Sequence, residues 1–245
     1  MIGQTITFDG HRLNDRFYVG EPDIGLPDFQ PSLEDRATGD GSEFRGMRLG
    51  AVSIDIRLTA KPVWGETARD ALTDLLSWLN VDSPRWLDMS GDRGRRRLCV
   101  PSGAPTIEDP QFEDRVTVHL TQVDPALYGA RRTVTVPSGG SVSFRVGGDY
   151  PTAPVVVAPS AVRDATSRRW GVRLDDGDVL RVAIPTSAAT AVSIDCAELT
   201  CAVGGATALP DMESLWLELR PGNHVIRNDV GTGACTVSWH ERWHR

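Results

Sequence analysis

Residues His240-Glu241-Arg242-Trp243-His244 fit the pattern H-E-x-x-H. On a helix this spacing puts two imidazoles on one face, where they can hold zinc, and leaves the glutamate poised as a general base for hydrolysis. The neighbouring residues point to a strand instead. Cys235, Val237 and Trp239 alternate with Thr236, Ser238 and His240, and His244 is the penultimate residue of this sequence. A helical turn at that place frays, and a third ligand would have to come from upstream. The pentapeptide therefore reads as a chance match on the polar face of a strand rather than as the zinc site of a hydrolase built on His240 and His244. We expect no catalytic residue, no cofactor and no metal ligand.

The other candidates for chemistry are weaker. The stretches "GDGSEFRG" (39–46) and "GTGACT" (231–236) lack the G-x-G-x-x-G spacing and the strand-to-helix setting that cradles a pyrophosphate. No G-x-S-x-G elbow, Walker loop or EF-hand loop occurs. "DRGRRR" (92–97) is a short basic run that reads as a solvated turn before the strand "RLCV". His11, His119 and His224 are isolated in sequence, with His119 on the polar parity of its strand. The cysteines Cys99, Cys196, Cys201 and Cys235 are too few and too scattered for a disulfide scaffold. They read as buried thiols, although Cys196 and Cys201 flank a short loop and could face each other. Of the seven tryptophans, Trp78 falls at the margin of a helical stripe. Trp170, Trp216, Trp239 and Trp243 are expected mostly in core or interface packing rather than stacked on sugar rings.

Composition sets the class. The 245 residues are 40% hydrophobic, with 24 glycines and 16 prolines, which fits a folded, turn-rich chain of one or two domains. No apolar run approaches the roughly 20 residues of a membrane-spanning helix, and "MIGQTITFDG" carries no secretory signal pattern. The formal charge is −7. Residues 1–130 hold 14 basic against 21 acidic residues, whereas residues 131–245 hold 12 of each, so all the surplus lies in the first part. That balance argues against sequence-specific nucleic-acid binding, which needs a basic patch.

Strand patterns dominate. In "AVSIDIRLT", Val52, Ile54, Ile56 and Leu58 alternate with polar residues, and "VTVHL" repeats the pattern with Val116, Val118 and Leu120. Between them one helix is predicted in "GETARDALTDLLSWLNV". Its Ala68, Ala71, Leu72, Leu75, Leu76 and Leu79 recur at helical spacing, with Glu66 and Asp70 near the positive end. The acidic segment at about 21–46 carries Pro22, Pro27 and Pro31 and is long for a connection. It reads as a solvated loop, or as an arm that orders only against a neighbouring subunit. A domain boundary is expected near residue 130. Beyond it, strands recur with the spacing of an antiparallel β-sandwich. Hairpins are predicted about Pro137-Ser138-Gly139-Gly140, about Asp176-Gly177 with both residues at positive φ, and in "AVSIDCAELTCAV".

The stretch "LWLELRPGNHVIR" (215–227) joins an alternating run to a hard turn. Leu215, Leu217 and Leu219 point one way and Trp216, Glu218 and Arg220 the other. Pro221-Gly222 suits a type II-like turn, and Asn223 can bond back to nearby backbone. On that reading the turn holds two sandwich strands in register, with the leucines in the core. The order of elements adds to it: "ITFDGHRL", a long hairpin arm, "GAVSIDIRLTAK", one helix of the "ARDALTDLLSWL" type, "DPALYG", a sandwich with "SIDC", and last "LWLELRPGNHVI". This pattern resembles the distal tail proteins of long-tailed, siphovirus-type bacteriophages. In that family a turn similar to Leu219, Pro221, Gly222, Asn223 and Ile226 recurs late in the chain, although here Asn223 directly follows Gly222.

The resemblance implies a mainly β protein. Its ring-forming N-terminal domain (1–130) would be tail-tube-like, with one helix and an extended arm, and its C-terminal antiparallel sandwich (131–245) would be similar to galectins and carbohydrate-binding modules. It further implies a homo-hexameric ring in the virion tail tip, assembled in the host bacterial cytoplasm. The ring would join the tail tube protein to the tail-tip hub or tail-associated protein, with the sandwich free to hold a receptor-binding protein. The alternative is a carbohydrate-binding module that attaches the virion to host surface glycans.

Overall fold

The computed structural model describes residues 4–36, 38–61, 67–108 and 114–244. The chain divides into two compact units, Met1–Leu127 and Tyr128–His244.

In the first unit the alternation in Val52–Ala60 becomes the middle of an antiparallel sheet. That strand pairs with Arg115–Gln122 from Val52 opposite Gln122 to Thr59 opposite Arg115, so Ile54 faces Leu120 and Ile56 faces Val118. All four of these side chains are buried, as expected for cross-strand apolar pairs on the covered face of a pleated sheet. Arg96–Pro101, Arg85–Met89 and Ile6–Phe8 extend the sheet on one side, and Phe17–Val19 and Asp23–Ile24 on the other.

The helix Ala68–Leu79 starts at Thr67, whose hydroxyl accepts from the Asp70 N–H while the Asp70 carboxylate accepts from the Thr67 N–H. This reciprocal cap satisfies two otherwise unpaired donors. Ala71 and Leu75 are buried, and Leu72, Leu79 and Trp78 pack at the edge of the core. Leu76, expected on the apolar stripe, is half exposed. Trp78 stacks on His11 with ring centroids 5.0 Å apart. Glu66 lies outside the described residues.

The second unit is a sandwich of two antiparallel sheets. One runs in the order Ala206–Thr207, Thr200–Val203, Thr190–Asp195, Val155–Ala161, Cys235–Trp243, Leu127–Val136. The other runs Ser141–Val146, Gly222–Val230, Arg169–Leu174, Val179–Ala183. Their inner faces enclose a core that includes Trp170, Leu180, Ile194, Leu219, Ile226 and Trp239. Among the described residues of this unit there is no helix.

Two hairpin expectations need correction. Pro137-Ser138-Gly139-Gly140 does make a tight turn, with Gly140 N–H donating to the Pro137 carbonyl. The strands it joins lie in different sheets, however, so it is a corner and not a hairpin. Between Arg169–Leu174 and Val179–Ala183 a hairpin does form, but only Gly177 has positive φ. The loop closes with Gly177 N–H on the Leu174 carbonyl and Leu174 N–H on the Asp178 carbonyl, which is longer than a two-residue turn. The Thr190–Asp195 and Thr200–Val203 hairpin forms with Ile194 opposite Cys201.

Candidate functional site

The acidic segment of the first unit is neither a plain loop nor wholly irregular. Phe29–Asp35 and Ser42–Leu49 form a two-stranded antiparallel hairpin with a bulge between Ser32 and Leu33. Directly opposed pairs share a face, and Phe29 opposes Leu49, Pro31 opposes Met47, and Leu33 opposes Phe44. One face is therefore apolar over these three pairs, up to the polar pair Asp35 and Ser42 at the hairpin's tip. It is also uncovered, with Phe29 at 67%, Leu33 and Phe44 at 60% and Met47 at 52% exposure. The opposite face is polar, and Arg45 bridges Glu34 and Glu43 there at 2.6 and 3.2 Å. A lone two-stranded ribbon is marginal in water, and an exposed apolar patch of this kind marks an interaction surface.

In the second unit, Leu217 and Leu219 are buried but Leu215 is 56% exposed. Residues 215–219 do not form the expected strand. Leu219 makes an isolated two-way bridge with Thr152, at 2.9 and 2.7 Å, and from Gly222 the chain pairs instead with Ser141–Val146. The backbone changes partner across Arg220-Pro221, so the turn links two neighbours rather than holding one pair in register. Gly222 has φ +141°, outside the type II value but in the region that favours glycine. Asn223 is a strand residue opposite Arg145, and Ile226 is fully buried between Val142 and Leu174. A cleft of 580 Å³ opens beside the turn, lined by Asp175, Asp176, Asp178, Glu218, Arg220, Asn223 and His224. His224 Nε2–H donates to the Arg220 carbonyl at 2.7 Å while Nδ1 faces Asp175.

The H-E-x-x-H residues lie on the strand Cys235–Trp243 and just after it. Four residues of strand separate positions by about 13 Å, far beyond a shared metal's reach. His240 Nδ1–H donates to the Gly129 carbonyl at 2.9 Å, and His244 packs edge-on against Tyr150. Among the described residues no His/Cys/Asp/Glu cluster has metal-binding geometry. Trp170 and Trp239 are buried and Trp216 packs at the core's edge, so these rings are not free to stack on a sugar.

Three polar sites were not legible as such. Arg97, expected in a solvated turn, is 2% exposed. It donates twice to Asp92 and once to Gln122, each at 2.8 Å, and Gln122 donates on to the Asp124 and Ala126 carbonyls. Asp229 accepts from Arg173 and Arg181. Burial raises its carboxyl, but the two guanidinium hydrogen bonds and charges outweigh that and leave it below the ordinary value. His119 lies between Asp55, at 2.8 Å, and Thr106, at 3.0 Å. All four cysteines are buried free thiols, and burial pushes Cys99 and Cys235 up to about 12 and Cys196 to about 11.

Residues 147–243 match the family described as siphovirus-type tail component, C-terminal domain. The crystal structure of the Dit protein of phage SPP1, described as a paradigm of the hub adsorption apparatus in phages infecting Gram-positive bacteria, superposes with TM-score 0.72. It does so over 98% of both chains at 19% identity. A chain of the phage p2 baseplate in its activated conformation with strontium superposes with TM-score 0.53 over 96% and 97% of the two chains, at 8% identity. No curated protein matches the sequence. Residues 147–243 therefore carry a domain of the siphovirus-type tail component family, and the chain along its length has the fold of the SPP1 Dit protein.

Proposed function

We propose that six copies of this chain close into a ring that joins the tail tube to the more distal tip proteins. The first unit forms the annulus and the second hangs from its rim as a docking domain. The observation that carries this reading is the uncovered apolar face of the Phe29–Leu49 hairpin. Among the described residues nothing covers Phe29, Leu33, Phe44 and Met47, and a neighbouring copy supplies that cover in a closed ring. The residues Leu219, Pro221, Gly222, Asn223 and Ile226 act as a structural joint of the sandwich. The role of the whole is geometric rather than catalytic, and assembly takes place in the host cytoplasm before the virion leaves. The acid surplus of residues 1–130 suits the wall of a channel through which DNA must slide without being held.

Native mass spectrometry tests the assembly. Six copies of a 26.6 kDa chain give about 160 kDa, and the double variant F29S/F44S should yield a folded monomer. A variant that still assembles as six would overturn the role given to the hairpin.

A further inference from the structure

A second uncovered surface lies on the sandwich. Residues 210–215 run as a strap along the edge strand Val179–Ala183. Pro210 bridges Val182, Asp211 N–H donates to the Arg181 carbonyl, and Leu215 N–H donates to the Val179 carbonyl. Between them Ser214 N–H closes a β-turn on the Asp211 carbonyl, with Met212 and Glu213 at its tip. The Ser214 hydroxyl accepts from the Arg181 N–H, and the Asp211 carboxylate pairs with Arg169 at 2.8 Å. The strap is therefore fastened at each turn.

Apart from Glu213 at its tip, what the strap and the preceding Leu209 display is apolar. Leu209 is 83% exposed, Met212 fully exposed and Leu215 56% exposed. Hydrophobic side chains held outward on a rigid backbone lose little entropy on contact, which is the character of a binding anchor. Leu215 is fastened to Val179, which follows Asp178, so the strap ends at the acidic cleft. There Asp175, Asp176, Asp178 and Glu218 outnumber Arg220 and His224.

We propose that the strap and this cleft form one docking surface for a different tail protein, whose own surface offers an apolar pocket flanked by an arginine or lysine that enters the cleft. Charge complementarity selects a basic partner and sets the approach, while the three apolar side chains supply the buried contact. The inference rests on the hub reading and names where on the sandwich the docking takes place. The strap also covers the backbone edge of Val179–Ala183, so the partner meets side chains rather than an open ladder.

The test uses assembled tail particles containing the full chain with photo-activatable benzoylphenylalanine at position 212. A control places it at Leu199, an apolar residue 59% exposed in the hairpin loop of the other sheet. Irradiation should join position 212 to a second tail protein, at a peptide carrying Arg or Lys beside apolar residues, with no such product from position 199. Adding D178K/E218K should cut the yield at least about tenfold, through loss of charge complementarity, with the copy number per particle unchanged. No product, a product only with another copy of this chain, or a yield indifferent to D178K/E218K would each overturn the docking surface. A chain that is absent from particles and monomeric in solution would instead sink the hub reading.

Discussion

Leu219 and Leu215 look equivalent in the sequence, and the structure separates them. Leu219 is fully buried and bridged to Thr152, whereas Leu215 is 56% exposed on the strap. Truncating a fully buried leucine to alanine removes its apolar contacts and leaves a cavity, at a cost of about 2–5 kcal/mol. The backbone bridge to Thr152 limits collapse around Leu219, which argues for roughly 3 kcal/mol. In the sandwich that loss should lower Tm by about 10 °C and speed hydrogen exchange of its most protected amides roughly 100-fold. Leu215→Ala removes atoms already in water and should stay within about 0.5 kcal/mol of the parent. Hydrogen-exchange mass spectrometry of the full chain resolves residues 128–244 from the rest and reads both variants. Equal effects of the two substitutions, or a Leu219→Ala cost below about 1 kcal/mol, would refute the claim that the joint is anchored at Leu219.

Three further outcomes follow from the polar and thiol sites. Arg97→Met leaves Asp92 and Gln122 without their shared donor and should cost about 3 kcal/mol in urea melts, against little change if this run were a solvated turn. Asp229 has a folded value below its ordinary 3.8, so its contribution is present above that pH and is lost as pH falls through the folded value. Asp229→Asn should therefore destabilise at pH 7 and flatten the acid limb of the stability profile; an unchanged limb would contradict the pairing with Arg173 and Arg181. Ellman's reagent at pH 8 should label none of the four cysteines until the protein unfolds, since burial holds Cys99 and Cys235 near 12 and Cys196 near 11. Prompt labelling would place a thiol at the surface.

What the sequence disclosed was decided by periodicity. Val52–Leu58 and Val116–Leu120 alternate without interruption, so their strands and buried faces are readable directly. The order of elements already implied a hairpin arm here, but the strand bounds and apolar face of Phe29–Leu49 do not show as a two-residue period, because the bulge puts the apolar residues at 44, 47 and 49. Its apolar face becomes visible only once Leu33 is known to oppose Phe44. Leu215 misled for the converse reason: alternation in 215–219 mimics a strand although no neighbour pairs with it along its length. The corner at 137–140 carries the residues of a hairpin turn, and turn chemistry does not encode whether the next strand returns to the same sheet. Arg97 could not be told from Arg95 or Arg96 without knowing that the Gln122 side chain lies within hydrogen-bond reach of it. The joint residues Leu219, Pro221, Gly222, Asn223 and Ile226 stood out by type, but the cleft beside them needs Asp175–Asp178 from a distant loop.

The most direct measurement is an electron cryomicroscopy reconstruction of the isolated tail tip. The account predicts six copies about the tail axis, each with the apolar face of Phe29–Leu49 seated on its neighbour and the 128–244 sandwich on the periphery. A tip in which this chain lies as separate copies, with Phe29, Leu33, Phe44 and Met47 open to solvent, would contradict it.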